Sequence, residues 1–175
     1  INYFVTRAYK DWLKPKYLNP KVDKRKFIFN EGMINWDSTI YLVEGVFEML
    51  SFPVNTIPIL GKDLFDALFY KLKEMTPNVV ILLDPDAYKS SIELFYKIHS
   101  IYFGEEDKVR IVKLPTKDDL DKLRREYGHD AMINAIRGAR GLTVDDYFIH
   151  NKLNSSYDRK KFGRYNSYSE YFRGW

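Results

Sequence analysis

Two acidic residues that follow a wholly apolar run are spaced so that they could bind a divalent cation. The run at residues 79–83, Val-Val-Ile-Leu-Leu, ends in Asp84-Pro85-Asp86. Residues i and i+2 of a strand lie on the same face, and open α/β sheets bind ligands at the carboxyl ends of their strands. Neighbouring carboxylates repel each other unless a cation lies between them, and oxygen ligands suit Mg²⁺ or Mn²⁺. A plain strand-to-helix turn, with Asp-Pro-Asp as turn and N-cap, explains the pattern equally well.

A second acid follows another apolar run. The run Thr-Ile-Tyr-Leu-Val at residues 39–43 leads into Glu44 and Gly45, and the segment that begins at Val46 predicts the start of a helix. Gly45 allows a sharp backbone turn, and Glu48 lies about one helical turn after Glu44, within reach of the same pocket. Alternatively, Glu44 is an exposed acid at a strand end and Glu48 is a favourable charge in the first turn of a helix.

A third acidic cluster, Asp118-Asp119-Leu-Asp121, lies just beyond the strand predicted at residues 109–114. Capping of the next helix by Asp118 or Asp119 accounts for part of it. All three clusters are expected at one edge of the sheet, because each follows the carboxyl end of a predicted strand. A site for two divalent metal ions that handle phosphate groups would use all of them, since such ions lower the pKa of an attacking hydroxyl and stabilise a leaving oxygen.

The elements that would position these acids alternate between strands and helices. Apolar runs predict the strands, and apolar residues at helical spacing predict the helices between them. This order indicates an α/β fold with a mostly parallel, right-handed sheet. Asp63 is the expected N-cap of the second helix. The predicted strands are 39–45, 54–60, 78–83 and 109–114, and the predicted helices are 46–52, 63–75, one that ends near 102, and short pieces from 115 to about 153.

Composition limits the class of protein. The chain of 175 residues is 45% hydrophobic and 17% aromatic, which suits one folded domain with a small appendage and excludes a disordered protein. It has no run long enough to span a membrane, no secretory signal pattern and no cysteine, so disulfides and cysteine zinc sites are excluded. His99, His129 and His150 share no ligand spacing. Because the first residue is Ile1 rather than Met, we expect a fragment or a processed chain.

The net charge of +4 is unevenly distributed along the chain. Residues 1–30 hold 8 basic and 2 acidic residues, residues 150–175 hold 6 and 2, and residues 31–149 hold 14 and 20. Basic ends around an acidic centre could line the approach of DNA or RNA to a metal site. Ordinary solvated lysines at the ends of a chain give the same pattern.

The acidic motifs, Glu44-Gly45 followed by Asp84-x-Asp86 on alternating strands and helices, resemble the Toprim domain. Bacterial-type primases, topoisomerases, some nucleases and recombination proteins share that domain. The segment at residues 14–20, Lys-Pro-Lys-Tyr-Leu-Asn-Pro, is similar to the Pro-Lys-Tyr-Leu-Asn element of bacterial and phage primases, which lies in a small basic subdomain before the Toprim fold. Over about residues 7–150, the chain therefore resembles a Toprim DNA primase of the bacterial or phage type.

Three further segments resemble primase motifs. Residues 27–32 take the place of the Phe-x-Lys-Gly segment, Leu60-Gly61-Lys62 that of Leu-Gly-Thr, and residues 112–121 that of Leu-Pro-x-Gly-x-Asp-Pro-Asp. The chain departs from the family pattern at Glu31, where lysine is common, and at Glu48, where aspartate is usual. The downstream acids read Asp-Asp-Leu-Asp, so the metal ligand among them is ambiguous.

The resemblance implies an α/β Toprim-like sheet flanked by helices, preceded by part of a small basic subdomain and followed by a helical segment. The zinc-binding module of such primases does not occur in this sequence. The aromatic and basic tail suits nucleic-acid binding or, slightly better, docking on a partner. The expected parts are a template-binding subdomain at 1–37, the Toprim catalytic domain at 38–116, a helical extension at 117–153 and the tail at 154–175.

The function implied by the resemblance is that of a DNA primase catalytic core, which makes short RNA primers on single-stranded DNA by nucleotidyl transfer. The implied cofactors are two Mg²⁺ or Mn²⁺ ions. The implied partners are the template, ribonucleoside triphosphates and a replicative helicase or other replication protein, in the cytoplasm of a bacterium or an infected host. A Toprim nuclease and a non-catalytic nucleic-acid-binding or assembly subunit remain as alternatives.

The resemblance also assigns roles to individual residues. Tyr17 is expected to stack on a base or, more often for such a tyrosine, to pack inside the subdomain. The expected catalytic residues are Glu44, Asp84 and Asp86; the expected metal ligands are these three with Glu48, Asp118, Asp119 and Asp121; the expected nucleic-acid or nucleotide contacts are Arg7, Lys16, Tyr17, Asn19 and Lys62.

Overall fold

The computed structural model describes residue 4 and residues 6–10, 12–61, 64–102, 105–114 and 119–142. The chain divides into two units, Ile1–Gly141 and Leu142–Trp175. The fold below belongs to the first unit, since Leu142 is the single described residue of the second. Asp63, Lys62, Asp118 and the tail at 154–175 lie outside the described residues.

A short hairpin precedes the main sheet. Strands β1 (Thr6–Arg7) and β2 (Tyr17–Leu18) pair antiparallel, with Arg7 opposite Tyr17. The hydroxyl of Thr6 donates to the carbonyl of Leu18, and the amide of Ala8 donates to the carbonyl of Lys16 at 2.8 Å. Short 3₁₀ turns follow at Lys24–Lys26 and Glu31–Met33. Pro15, Pro20 and Gly32 interrupt this segment, which is consistent with its short strands and turns.

The main sheet has four strands, all parallel, which confirms the predicted fold class. In chain order they are β3 (Ile40–Val43), β4 (Thr56–Pro58), β5 (Val79–Leu82) and β6 (Val109–Ile111), and in space they run β4-β3-β5-β6. All four residues of β5 are buried, as are all three of β4. Strands covered on both faces are apolar throughout rather than alternating, which is why the runs stand out in the sequence.

Helices connect and cover the strands. They are α1 (Val46–Ser51), α2 (Asp66–Met75), α3 (Tyr88–His99), α4 (Leu120–Tyr127) and α5 (His129–Arg137), with 3₁₀ turns at Pro85–Ala87 and Glu106–Lys108. Every predicted strand and helix within the described residues is present. Most of these elements are shorter than predicted, because they begin later or end earlier, usually by one to three residues. None of the helices in the described part is long and apolar enough to cross a bilayer.

The core lies on both faces of the sheet. Val43, Val80 and Leu82 pack with residues of α4 and α5, including Leu123 and Met132. Alternate strand residues point to the opposite face, where α3 lies along β5 and β6. The apolar positions predicted for α3 are buried at Ile92, Leu94, Phe95 and Ile98. The sheet is therefore held rigidly, and its carboxyl edge is a fixed frame for whatever side chains follow the strands.

Asn55 joins the start of β4 to the segment before β3. Its side-chain amide donates to the carbonyls of Asn35 (2.9 Å) and Thr39 (2.8 Å), and its side-chain oxygen accepts from the amide of Asn35 at 2.8 Å. Its backbone has φ 47°, in the left-handed region. Asparagine adopts that region more readily than most residues, so this side chain both permits the turn and bonds across it.

Substitution of Asn55 separates these two contributions. Asn55→Gly keeps the left-handed turn and loses the hydrogen bonds, and we expect it to lower the free energy of unfolding by about 1–2 kcal/mol. Asn55→Ala loses both, and we expect about 1 kcal/mol more. Urea denaturation of both variants measures the difference, with Asn134→Ala on the exposed surface of α5 as control. Equal stability of the Gly and Ala variants would contradict the role of the turn.

Candidate functional site

Asp84 and Asp86 lie in the turn between β5 and α3. The strand ends at Leu82, and the amide of Ala87 donates to the carbonyl of Asp84 at 2.9 Å. We expected strand alternation to place the two acids on one face. Both acids lie beyond the end of the strand, so strand alternation does not determine their directions. Asp84 is half-buried, whereas Asp86 is exposed. The turn interpretation holds for the backbone, yet the Asp84 carboxylate makes no capping hydrogen bond.

Glu44 and Glu48 lie at the neighbouring strand end. Glu44 follows β3 directly, and Glu48 is in the first turn of α1. The Glu48 carboxylate folds back over Gly45, where a Cβ atom would meet Oε2 at 2.7 Å. The backbone of Gly45 is extended, at φ −135°, so its conformation does not require glycine. An alanine at position 45 would displace the Glu48 carboxylate, which is the end of a flexible side chain.

Asp84 is the centre of a cluster of carboxylates. Its pKa is raised to about 7, first by burial and then by the negative charges of Glu48, Glu44, Asp119 and Asp86, in that order of effect. A carboxyl group feels its neighbours in this way only when they lie nearby in a medium less polar than water. The structure thus brings acids from the ends of β3 and β5 and from the start of α4 to one edge of the sheet.

The three acids after β6 have different surroundings. Asp119 is the N-cap of α4, where its Oδ1 accepts from the amide of Lys122 at 2.7 Å, and its charge reaches Asp84. Asp121 accepts a hydrogen bond from the Ser51 hydroxyl at 2.7 Å and pairs with Arg125 at 3.1 Å. Asp121 therefore holds α4 against α1 and so helps to position Asp119. Asp118 lies outside the described residues.

The raised pKa of Asp84 predicts a pH-dependent gain in stability for Asp84→Asn. Unfolded, this carboxyl releases its proton near pH 3.8, whereas folded it does so near 7. Stability is therefore lost as the pH rises between those values, and the loss is complete above pH 7. After allowance for the solvent screening of a half-buried group, we expect the variant to be more stable than the native protein by on the order of 1 kcal/mol at pH 8 without divalent ions.

Thermal unfolding at pH 4 and pH 8 measures this effect, because the difference between variant and native protein should nearly vanish at the lower pH. Asp107→Asn, an exposed acid before β6 at the opposite edge of the sheet, is the matched control. If Asp84→Asn were less stable than the native protein at pH 8, favourable interactions of the Asp84 carboxylate would outweigh its burial and the repulsion, and the prediction would be wrong.

A second prediction distinguishes Asp119 from Asp121. Asparagine caps a helix as well as aspartate does, so Asp119→Asn removes a charge and keeps the cap. We expect it to lower the pKa of the Asp84 carboxyl, because one of the repelling charges is gone. Asp121→Asn, whose charge does not act on Asp84, should leave that pKa unchanged. An NMR titration that follows the side-chain carboxyl carbon of Asp84 measures this pKa in both variants. Equal changes of the pKa in the two variants would contradict the different roles of Asp119 and Asp121.

The basic hairpin contacts the helix that carries Glu48. The Arg7 guanidinium lies over the ring of Phe47 in α1, 5.0 Å from its centroid, and 5.8 Å from that of Tyr17. The Lys16 ammonium is 5.7 Å from the Tyr17 ring. Tyr17 is therefore packed against two cations and still 43% exposed, and Asn19 is exposed nearby in sequence. Phe47 was not predicted; its signal was an aromatic residue at an exposed helix position beside Glu48.

A cleft of about 500 Å³ lies beside the carboxyl end of β4. Its wall is formed by Lys24, residues 26–33 and Leu60. The Lys24 ammonium donates to the Leu60 carbonyl at 2.7 Å and lies 5.0 Å from the Phe65 ring centroid, so it holds the loop that follows β4. Because β4 neighbours β3, this cleft lies at the same edge of the sheet as Glu44. Lys62, predicted to contact nucleotide, lies outside the described residues.

The donors at this edge are oxygen atoms of carboxylates, which suit Mg²⁺ and Mn²⁺. Within the part of the chain that the structure describes, no three acidic or histidine side chains are placed so that they already enclose an ion. Burial, and then the negative charges of neighbouring acids, raise the pKa of Asp84, and a bound cation would relieve the repulsion among those charges. The donor set therefore fits a divalent metal, with closure of the carboxylates around it left to side-chain rotation.

Comparison with known proteins assigns the fold. The chain is similar to the zinc-binding and RNA polymerase domains of the Aquifex aeolicus primase, with a TM-score of 0.67, 25% identity and coverage of 89% of this chain and 41% of that one. It is similar to a DNA primase domain from Pseudomonas aeruginosa, with a TM-score of 0.62, 24% identity and coverage of 89% and 52%. No family model matches the sequence, and no curated protein does.

A third similar structure is the RNA polymerase domain of the Mycobacterium tuberculosis primase in complex with a double-stranded DNA oligomer that carries a 6-nucleotide overhang. Its TM-score is 0.59, with 15% identity and coverage of 79% of this chain and 49% of that one. The chain thus spans about half the length of the structures it matches, or less. It has the fold of a bacterial primase catalytic domain, a Toprim-like α/β core, as the sequence motifs predicted.

Proposed function

We propose that this chain is the catalytic core of a DNA primase, which synthesises short RNA primers on single-stranded DNA. The contact of Arg7 with Phe47 carries this proposal, because it places a basic hairpin directly against the helix of Glu48. Phosphates of a template need cations, and nucleotidyl transfer needs acids that hold metal ions. A hairpin and an acidic edge joined in one rigid frame serve both needs at once.

The proposed reaction joins the 3′ oxygen of the growing strand to the α-phosphorus of a ribonucleoside triphosphate, and the bond from that phosphorus to the pyrophosphate oxygen breaks. Glu44, Asp84 and Asp86 would hold two Mg²⁺ or Mn²⁺ ions, with help from Glu48 and Asp119. When bound, such ions lower the pKa of the attacking hydroxyl and neutralise the leaving pyrophosphate. The half-buried setting of Asp84 strengthens these electrostatic interactions relative to water.

The cleft beside β4 favours polymerisation over hydrolysis. A nuclease with the same acids needs no nucleotide site, whereas a primase must seat an incoming nucleoside triphosphate. A volume of about 500 Å³, with Lys24 and Lys26 in its wall, suits a ligand of this size and charge. Glu31 also lines this cleft, and we propose that Lys62, which follows Leu60 and Gly61 in the sequence, supplies part of the positive charge for the phosphates.

The proposed partners follow from the charges. Arg7 and Lys16 would neutralise phosphates of the template strand, and the exposed amide of Asn19 would hydrogen-bond to it. The M. tuberculosis domain with its DNA overhang supports a nucleic-acid partner for this fold. A replicative helicase or another replication protein is the proposed partner in the cell.

Primer synthesis tests this function. The chain is incubated with a single-stranded template, ribonucleotides and Mg²⁺ or Mn²⁺, and we expect short labelled RNA. Asp84→Asn should lower the rate on the order of 100-fold or more, because it removes a proposed ligand of the metal ions that stabilise the transition state, while Asp107→Asn should leave it unchanged. Chelation of the divalent ion should abolish synthesis.

Two outcomes would overturn the proposed function, and a third would overturn the assignment of the site. Shortening of the template in place of RNA synthesis would identify a nuclease that uses the same acids. A gel shift of the template with no chemistry, and with no effect of Asp84→Asn, would identify a nucleic-acid-binding or assembly subunit. Full activity of Asp84→Asn would show that the acidic cluster is not the reaction centre.

A further inference from the structure

The connection between β1 and β2 exposes large aromatic rings. Tyr9 is 83% exposed and Trp12 is 72% exposed. Rings of this size are normally covered in a folded protein or kept for an interaction. Both lie outside the catalytic and binding roles discussed above.

A lysine lies between these rings. The Lys10 ammonium is 4.7 Å from the Trp12 ring centroid and 5.4 Å from the Tyr9 ring centroid. One cation that contacts two aromatic faces keeps both rings near each other and limits their rotation. We call Tyr9, Lys10 and Trp12 the hairpin cluster. It presents flat apolar faces and a positive charge together, before any ligand is present.

The same alternation of rings and cations continues along the hairpin to the acidic edge. The backbone bond from Ala8 to Lys16 joins the two sides of the hairpin, and beyond it Lys16 and Arg7 lie against Tyr17. Arg7 then reaches Phe47. Residues 6–18 hold four basic residues and one acid in the sequence, so the whole hairpin attracts a polyanion.

We infer that the hairpin cluster is a stacking site for unpaired bases, and that it holds a single strand of nucleic acid on its way to the acidic edge. Every base offers a flat π face, and aromatic side chains bind such faces with little regard to sequence. Lys10 supplies the phosphate contact that a purely apolar docking surface would not need. Bases in a duplex are already stacked and cannot use these rings, so the site selects single strands. This inference rests on the proposed function and adds a subsite to it.

Tryptophan fluorescence gives a direct readout of stacking. The chain has 3 tryptophans, so Trp36→Phe combined with Trp175→Phe leaves Trp12 as the one emitter. We expect a single-stranded oligothymidylate to quench this emission, and a blunt duplex of the same length at the same concentration to quench it far less. Absence of quenching, while a labelled strand still binds by anisotropy, would overturn the inference and leave the proposed function standing.

Affinity measurements complete the test. Trp12→Ala should weaken binding of the single strand on the order of 10-fold, and Lys10→Gln should lower the slope of log affinity against log salt by about one. Tyr70→Ala, which removes a ring that is 66% exposed on α2, is the control and should change neither. Loss of self-association in Trp12→Ala by sedimentation, with unchanged strand affinity, would assign the rings to a contact between copies of the chain. If no strand binds to the native chain at all, the proposed function fails as well.

Discussion

Repulsion among carboxylates is the constraint on which this structure depends. A parallel sheet brings the ends of its strands to one edge, and here each of three strand ends leads into acids. The cost is visible at Asp84, where burial first, and then the neighbouring carboxylates, raise the pKa to about 7. Part of it is offset by helix N-termini at the same edge, because Glu48 lies in the first turn of α1 and Asp119 caps α4. Each such position stabilises a negative charge by about 0.3–1 kcal/mol. The remaining repulsion favours the binding of a cation.

The rest of the unit holds this edge in place. Asp121 and Arg124 bind Ser51 of α1 through its hydroxyl and its carbonyl, which are 2.7 and 2.9 Å away, so α1 and α4 move as one. The hairpin is tied to the same helix through Arg7 and Phe47. Acidic and basic regions, distant in sequence, thus share one support. Under the proposed function, these adjacent basic and acidic surfaces would guide a polyanion to the bound metal ions.

Much of the fold could be predicted from the sequence because its strands are buried on both faces. Runs such as residues 79–83 contain no polar residue, which is typical of strands buried on both faces. These runs alternate along the chain with segments of helical periodicity, and that alternation predicts a parallel α/β sheet. Element ends were less well predicted. The helix expected from Asp63 begins at Asp66, and strand β6 ends at Ile111 rather than Leu114, although Val112 and Leu114 are buried in the core. Burial extends beyond hydrogen-bonded pairing, so an apolar pattern overstates the length of a strand.

The sequence alone determined which acids follow which strands. Because parallel strands have their carboxyl ends on the same side of the sheet, it also determined that Glu44, Asp84 and a later aspartate would lie near one another there. Only the tertiary structure decided what each acid does there. Asp119 faces Asp84 while Asp121 turns to Ser51, a difference set by the direction of α4 and invisible in the spacing Asp-Asp-Leu-Asp. Likewise, Arg7 contacts the rings of both Tyr17 and Phe47, which lie thirty residues apart in the sequence. The succession of strands and helices along the chain follows from local patterns, whereas side-chain partners depend on how separate elements pack.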